Sequence, residues 1–436
     1  MPFLHGFRRI IYEYQPLVDE ILQALGIDDG VDSQAGRASE IDGSAYVTLR
    51  EVLERESQSS LFKEGISYAL FKIAETQLVN AAEMLLQYQA DLSFEDPVSY
   101  YNPLHNAVLR NQAVMVETLV RHGASINKRD RIHESSPLDL ASEETERLPC
   151  LRTLLDLGAD VNAADRNGKT ALLHALASSD GVMVHNIENI RLLLERGADA
   201  NAMTRDGETA LSFVVFLVKE ALDGRPEDAP HIHYFCQEVA QLLLTYGADP
   251  SRCREDESSL METCLEHFDL HFSLALQLLQ GGASFFCSMH SPPCWSGFVL
   301  IFQRLCSAVQ ELKDNTVAAG EVIRKAESIL DFVIATSPDV RIPKDFVISV
   351  ENCGIHAQKI LSIYARLKDL EHTPAPLKHI CRLHIRQHLQ LLNLKQKVEG
   401  LPLPDRLKEY LLPTLQFSEA AGTFSGCHRA HPNDTT

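Results

Sequence analysis

The sequence has 436 residues, which is too long for one ordinary compact core, so several domains or one extended array are expected. Hydrophobic residues make up 45% and charged residues 23%, as in a folded chain rather than a disordered one. The formal net charge of −20 argues against nucleic acid as a partner, because its phosphate backbone selects basic surfaces. An acidic chain suits a basic protein surface, although solubility alone explains the acidity equally well.

The first residues and the cysteines indicate a compartment. Met1–Tyr14 carries Arg8, Arg9 and Glu13 within its apolar stretch, unlike a signal peptide. Nowhere do about eighteen apolar residues follow one another, so we expect no membrane partner. The ten cysteines form no Cys-x-x-Cys pair, and we expect reduced thiols. These features indicate the cytosol or nucleus, and we predict a cytoplasmic protein.

A repeat organises the middle of the chain. A helix-start pattern recurs at steps of 34, 34, 39 and 49 residues, beginning at Asn102, Ser136, Thr170, Thr209 and, in degenerate form, Ser258. Each unit closes on a Gly-Ala pair, whose glycines are Gly123, Gly158, Gly197, Gly247 and Gly282. The first residue can cap a helix, the following leucine begins an apolar stripe, and the glycine supplies a left-handed turn. The pattern resembles the ankyrin repeat, whose units must stack to bury their apolar faces.

Weaker units and insertions surround this pattern. A unit from Ser67 to about Asp96 has Gln89 where the glycine would stand, and a unit from Ser296 to about Ile342 is a weaker match. The polar stretch Asp223–Pro230 is predicted to be a loop between the two helices of its repeat, either a tolerated insertion or a contact element. Upstream, Tyr12–Leu25 has helical spacing and precedes an acidic, polar linker.

Past Leu370 the repeat pattern stops and a basic amphipathic helix follows. Leu377, Cys381 and Ile385 fall at i, i+4 and i+8, and Ile380 lies beside them on the same helical face. Lys378, Arg382 and Arg386 form a second, charged row. A narrow apolar stripe on a basic helix is typical of a segment that enters a partner's groove.

A proline strip comes next, at Leu401, Pro402, Leu403 and Pro404. The alternating prolines hold it extended and stop any helix, so its leucines stand on a stiff backbone. Asp405 is then predicted to cap a short helix that carries Leu407, Tyr410 and Leu411.

The order Pro376-Leu377-x3-Cys381-Arg382-x2-Ile385, followed by Leu-Pro-Leu-Pro at 401–404, resembles the SOCS box. Ankyrin repeats ahead of it resemble the ankyrin repeat and SOCS box proteins, over about residues 65 to 412. The resemblance implies that elongin C, paired with elongin B, binds Leu377, Ile380, Cys381 and Ile385. It also implies that cullin-5, with its RING subunit, binds Leu401, Pro402, Leu403, Pro404 and Leu407.

The function that the resemblance implies is that of a substrate-recognition subunit of an E3 ubiquitin ligase. The repeats would hold an unidentified protein target, and the SOCS box would bring it to the cullin–RING core for ubiquitination and proteasomal degradation. The alternative is an ankyrin scaffold with no ligase role, whose C-terminal helices merely cap the solenoid. A cap has no need of a stiff proline strip, which favours the first interpretation.

We therefore predict an all-α fold, with an ankyrin-repeat solenoid of about six repeats, a seventh left open, and a small helical SOCS box. The predicted domains are an N-terminal helix and flexible linker at 1–64, ankyrin repeats at 65–285, a degenerate repeat or helical connector at 286–370, the SOCS box at 371–415 and a disordered tail at 416–436.

No residue is nominated as catalytic, and no cofactor is expected. The one tempting cluster, Cys287-x2-His290-x3-Cys294, lacks a fourth ligand at a sensible distance and contains two prolines, so an ordinary loop without a metal is predicted. Target binding is assigned to the tips of the repeat hairpins and to the concave helix faces. The candidate residues at the tips are Arg129, Arg131, Arg166 and Asn167.

Overall fold

The computed structural model describes residues 3–27, 43–252, 258–287, 290, 293–312, 315–337, 342–343, 346–372, 376–389 and 394–412, with 3–12 and 371–372 described by backbone alone. It divides into two compact units, Met1–Thr263 and Cys264–Thr436. Its α-helices are α1 Phe3–Ala24, α2 Gly43–Glu56, α3 Phe62–Ile73, α4 Val79–Gln87, α5 Pro103–Leu109, α6 Ala113–Arg121, α7 Pro137–Ser142, α8 Leu148–Asp156, α9 Ala171–Ala177, α10 Ile187–Glu195, α11 Ala210–Asp223, α12 Ala229–Thr245, α13 Leu260–Glu266, α14 Phe272–Gln280, α15 Gly297–Glu311, α16 Thr316–Thr336, α17 Ala357–His372, α18 Leu377–Leu389, α19 Leu394–Glu399 and α20 Asp405–Leu411.

The N-terminal segment of the first unit is more ordered than a helix and a linker. Helix α1 begins at Phe3 rather than Tyr12, and it packs against α2 and α3. Helix α2 occupies part of the region predicted as linker, where it buries Leu49, Val52 and Leu53. The remainder of that predicted linker, 28–42, lies outside the described residues. These two helices therefore add a packed layer before the first repeat.

The repeats form the expected helix pairs, so the predicted all-α ankyrin fold is confirmed. Asn102, Ser136 and Thr209 each accept a hydrogen bond from the backbone three residues on, in full capping boxes. Thr170 stands at the corresponding position without a side-chain cap bond. In the degenerate unit the cap is Ser259, one residue later than the pattern predicts, because its hydroxyl accepts from the backbone N–H of Glu262 at 3.1 Å.

The turn that closes each unit has the predicted left-handed backbone. Gly158 has φ of +89°, and the next residue, Ala159, donates its N–H back to the Leu154 carbonyl at 3.0 Å. In the first repeat, which begins near Ser67, Gln89 stands where the glycine is missing and takes the same conformation, with φ of +65°. The geometry of the turn is thus kept even where its preferred residue is lost, at some strain.

Asparagine side chains join successive repeats. Asn162 donates from its amide to the Gly197 carbonyl at 3.0 Å, and its carbonyl oxygen accepts from the Asp199 N–H at 2.8 Å. Asn201 makes the same two bonds to Gly247 and Asp249, each at 2.8 Å. Both asparagines therefore satisfy backbone groups at the end of the next helix pair.

The predicted loop between the two helices of its repeat is present, but it is shorter than the predicted Asp223–Pro230. The insertion lengthens both helices of this repeat, because α11 has 14 residues and α12 has 17, against 7 and 9 in the preceding pair. Between them, residues 224–228 are the connecting segment. Pro230 lies in the first turn of α12, where proline costs no hydrogen bond.

The second unit continues with longer helices. Helices α15 and α16, in the predicted last unit, pack on each other and have 15 and 21 residues. Their core includes Phe302, which meets Tyr364 of α17 edge-on at 5.5 Å between ring centroids. Among the described residues no helix has the length and apolarity to cross a bilayer. Helix α18 then packs against α16 and begins the C-terminal module.

Candidate functional site

Helix α18 presents two opposite faces, and the sequence explains both. Leu383 and Arg386 are buried. Half a turn away lies the face that carries Leu377, Cys381 and Ile385 at i, i+4 and i+8. The helix is therefore anchored by one side and free on the other.

The free face carries exposed apolar side chains. Leu377 is 76% exposed, Ile380 50% and Ile385 40%, and the Cys381 thiol is also exposed. We call Leu377, Ile380, Cys381 and Ile385 the apolar stripe. Large aliphatic side chains exposed along one helical face are a candidate interaction surface.

An aromatic residue from α20 fixes the charged row of α18. The Tyr410 ring lies under the ammonium of Lys378, 4.4 Å from its centroid, and under the guanidinium of Arg382 at 3.8 Å. The Tyr410 hydroxyl donates to the Lys378 carbonyl at 2.5 Å. Arg382 also donates to the Ala335 carbonyl at the end of α16, at 3.1 Å. The basic row therefore makes packing contacts, although Lys378 is exposed and Arg382 is only half-buried.

Arg386 makes the second link between α18 and α20. Its guanidinium donates to the Leu411 carbonyl at 2.7 Å. Burial, together with the neighbouring Arg382 charge, lowers the pKa of Arg386 to about 10. A cation placed against a helix C-terminus also interacts favourably with the helix dipole. Arg386 therefore holds the end of α20 to the buried side of α18.

A small core completes the module. Leu394 and Val398 of α19 and Leu411 of α20 are buried together, and Leu389, Leu401, Leu403 and Leu412 pack against them. The helix α19 was not predicted. Because α18, α19 and α20 share this core, the two halves of the motif are one folded structure with two separate outer surfaces.

The proline strip alternates between this core and solvent. Leu401 and Leu403 are half-buried against the core, whereas Pro402 and Pro404 are exposed. Leu407 follows on α20 and is 48% exposed. Asp405 is the first residue of α20, and Pro404 stands at the cap position with no side-chain bond, so the predicted Asp405 cap is absent. The outward surface of this half is therefore Pro402, Pro404 and Leu407.

The hairpin-tip candidates divide into two groups. Arg129 is 22% exposed, and its guanidinium binds the Asp139 carboxylate at 2.9 Å and the Glu134 carbonyl at 2.5 Å. Its role is to support its own repeat, and it does not stand free at the tip.

The other three candidates remain at the surface. Arg131 is exposed and pairs with Glu95 of the preceding hairpin at 2.5 Å. Arg166 pairs with Glu134 in the same way. Asn167 is exposed, and its carbonyl accepts from the Arg205 N–H at 2.7 Å. A partner at these tips would compete with an acidic neighbour for each arginine.

The sequence prediction missed two histidines on α18 and the contact that Tyr410 of α20 makes with it. His384 and His388 lie on the exposed face, with ring centroids 4.5 Å apart, and the i, i+4 spacing was the available signal. Tyr410 was predicted only as part of a short apolar helix. Its contact with the basic row could not be read from spacing, because 32 residues separate it from Lys378.

Two family models match the chain. The SOCS box model matches residues 373–412, and a model of three ankyrin repeats matches residues 70–165. The first match contains α18, α19 and α20 and the surfaces described above. The second contains the helix pairs α5–α6 and α7–α8.

Curated relatives resemble the chain over nearly its whole length. The mouse ankyrin repeat and SOCS box protein 6 is 56% identical over 418 residues, which cover 94% of this chain and 98% of the relative. The human protein of that name is 55% identical over 417 residues, covering 94% and 97%. Two solved structures also resemble it: an ankyrin repeat domain from Acinetobacter baumannii (25% identity, TM-score 0.41, 50% of this chain and 99% of that one) and the ankyrin repeat domain of Bcl-3 (26%, 0.40, 50% and 86%). The chain belongs to the ankyrin repeat and SOCS box protein family.

Proposed function

We propose that this chain is the substrate-recognition subunit of an elongin B/C–cullin-5–RING ubiquitin ligase. Its ankyrin repeats hold a protein target, its apolar stripe binds elongin C, and the surface of Pro402, Pro404 and Leu407 faces cullin-5. The chain performs no chemistry of its own in this proposal. It raises the effective concentration of the target's lysines near the ubiquitin-charged enzyme that the RING subunit recruits.

The observation that carries the proposal is the exposure of the apolar stripe. Its four side chains lie on one face of α18, and that helix is already anchored through Leu383, Arg386 and the Tyr410 contacts. A folded, anchored helix with a free apolar face loses little entropy when a groove closes over it, which favours binding.

The alternative function, a scaffold with no ligase role, assigns α18 to capping the repeats. A capping helix turns its apolar face inward. Here the inward side holds Leu383 and Arg386, and the more apolar face is the outer one. The proline strip also favours the ligase role over a cap. Its leucines pack against the core of the module, and its prolines are exposed.

The test is recovery of the predicted partners from cells. The full-length chain, purified through an affinity tag, is expected to bring down elongin B, elongin C and cullin-5. A Leu377→Ala/Ile385→Ala variant should lose all three, because cullin recruitment follows elongin binding. The matched control is Gln387→Ala, which alters an exposed residue of the same helix outside the stripe. The proposal would be overturned if the purified wild-type chain brought down no elongins, or if the stripe variant brought down as much elongin as the wild-type chain.

The stripe variant also gives the best way to find the target. Deleting the C-terminal module would remove the contacts that α18 makes with α16, including the Arg382 hydrogen bond to the Ala335 carbonyl, and would leave that part of α16 uncovered. The two alanine substitutions leave those contacts in place. Proximity labelling with the variant should therefore enrich the target, which accumulates when it is bound but not ubiquitinated.

A further inference from the structure

Three metal-ligating side chains converge in the second unit, away from the C-terminal module. The Cys287 sulfur lies 3.2 Å from Nδ1 of His290, and the Cys294 sulfur lies 3.4 Å from the same nitrogen. All three ligand atoms are within 4.8 Å of one another. Sequence alone predicted an ordinary loop here, so this convergence is a product of the fold.

A short hairpin brings the ligands together. Phe286 and Ser296 form an antiparallel bridge, and Cys287 donates its N–H to the Trp295 carbonyl at 3.2 Å. Cys287 and Cys294 thus lie on its two opposite strands, and His290 belongs to the segment between them. Below the bridge the Phe285 ring packs edge-on against Phe298, with centroids 4.9 Å apart.

The hairpin is fixed independently of the ligands. Gly297 donates its N–H to the Phe285 carbonyl at 2.9 Å, which extends the pairing by one residue. A Cβ on Gly297 would lie 2.6 Å from the Phe285 ring, so the close approach requires glycine. The two sulfurs are therefore held near each other by backbone and aromatic packing, before any ligand binds.

Both sulfurs approach the same ring nitrogen, Nδ1 of His290, which can donate an N–H or offer a lone pair to a cation according to the tautomer. The separations between the three atoms match those expected around one shared cation. With Zn–S of about 2.3 Å and Zn–N of about 2.0 Å, tetrahedral angles separate sulfur and nitrogen by roughly 3.5 Å. The observed separations of 3.2 and 3.4 Å are close to that value.

We propose that Cys287, His290 and Cys294 bind one zinc ion. Two thiolates and an imidazole form a soft donor set, which zinc accepts and which magnesium and calcium avoid. The fourth tetrahedral position is open to solvent, since His290 and Cys294 are both exposed. The sequence shows no fourth protein ligand near these three, which excludes only a zinc site closed by four protein ligands. Three protein ligands and one water molecule also give tetrahedral coordination.

The zinc ion would close the hairpin that joins α14 to α15. Binding is expected to release protons from the thiols, because cysteine coordinates zinc as the thiolate. The site is separate from the apolar stripe, so the inference does not depend on the ligase role.

The first test is metal content. The full-length chain, purified under reducing conditions without chelator, should carry one zinc per chain by elemental mass spectrometry. Cys287→Ser and Cys294→Ser should each reduce the content to background. The control is Cys381→Ser, which removes an exposed thiol that has no place in the cluster. Zinc that is absent from the wild-type chain, or equal in all four proteins, would overturn the proposal.

The second test does not depend on the folding of any variant. Wild-type chain is stripped with a chelator and titrated with Co²⁺, whose visible spectrum reports coordination. The expected result is saturation at one equivalent, with the intense bands of tetrahedral cobalt, sulfur-to-cobalt charge transfer, and reversal by Zn²⁺. A spectrum without charge transfer, or a Cys287–Cys294 disulfide in the reduced preparation, would contradict a zinc site.

Discussion

Truncating the apolar stripe should separate partner binding from folding. In the double variant Leu377→Ala/Ile385→Ala two aliphatic side chains are removed from a helix whose anchoring contacts stay in place. Both residues lie on the outer face of α18, and alanine is the best helix former, so the helix itself is preserved. The expected result is a chain of nearly unchanged stability with much weaker elongin binding.

The magnitude follows from the exposed fractions. Full burial of an aliphatic side chain contributes about 1.5–3 kcal/mol. Leu377 is 76% exposed, which leaves about 1.1–2.3 kcal/mol available to a partner. Ile385 is 40% exposed, which leaves about 0.6–1.2 kcal/mol. Together they predict a loss of about 1.7–3.5 kcal/mol, or roughly 20- to 400-fold in Kd.

The assay is titration calorimetry of purified chain with the elongin B–C heterodimer, paired with a thermal melt of each variant. Gln387→Ala should bind as wild type. Leu383→Ala provides the opposite control, because it removes a buried side chain of the same helix and should cost about 2–5 kcal/mol of folding stability. If the stripe variant melts as early as Leu383→Ala, or binds elongins as wild type does, the stripe is not an interface.

Three further predictions address other parts of the molecule. Arg386→Ala should lower the free energy of unfolding by about 1.5–3 kcal/mol, since it removes a charged hydrogen bond to the Leu411 carbonyl; hydrogen exchange should show the loss in α20 before α16, and uniform exchange would contradict the link. Leu407→Ala should weaken cullin-5 binding by the elongin-loaded chain about 3- to 10-fold, given its 48% exposure, while elongin affinity stays unchanged; a loss in elongin affinity instead would assign Leu407 to the other surface. Burial lowers the pKa of His105 from 6.5 to about 4. As the pH falls, the unfolded chain therefore binds the proton before the folded chain does, and the free energy of unfolding should decrease by about 3 kcal/mol between pH 6.5 and pH 4. Chemical denaturation at several pH values should show this decrease in the wild type and a smaller one in His105→Gln.

Features set by local interactions were predictable from the sequence. The capping residues Asn102, Ser136 and Thr209 and the left-handed glycines act within a few residues of their own positions, so their pattern fixes the helix pairs. The apolar stripe was predictable for the same reason, since helical spacing alone places Leu377, Cys381 and Ile385 on one face.

Features that depend on distant contacts were not predictable. Helix α2 has only a short apolar set among charged residues, and it is stabilised by packing against α1. Spacing places the basic row of α18 on one face, but it does not show that Arg382 packs on Tyr410 or that Arg386 is buried against the Leu411 carbonyl, since both partners lie far along the chain. The loop within Asp223–Pro230 was predicted, but its ends were not, because a proline in the first turn still allows α12 to begin at Ala229.

The cysteine cluster shows the same limit at a candidate site. The sequence offers three neighbouring ligands, one fewer than a closed zinc site needs, and so predicts no metal. The pairing of Phe286 with Ser296 brings Cys287 and Cys294 together across the hairpin. The spacing of the ligands in the sequence does not predict that pairing.

The most direct measurement of the central claim is reconstitution from purified components. The full-length chain, elongin B–C and cullin-5 with its RING subunit are mixed and analysed by size-exclusion chromatography with light scattering. The proposal predicts a stepwise assembly with one copy of each component, in which the chain binds elongin B–C and only the loaded chain retains cullin-5. A chain that elutes alone in the presence of both partners would contradict the account.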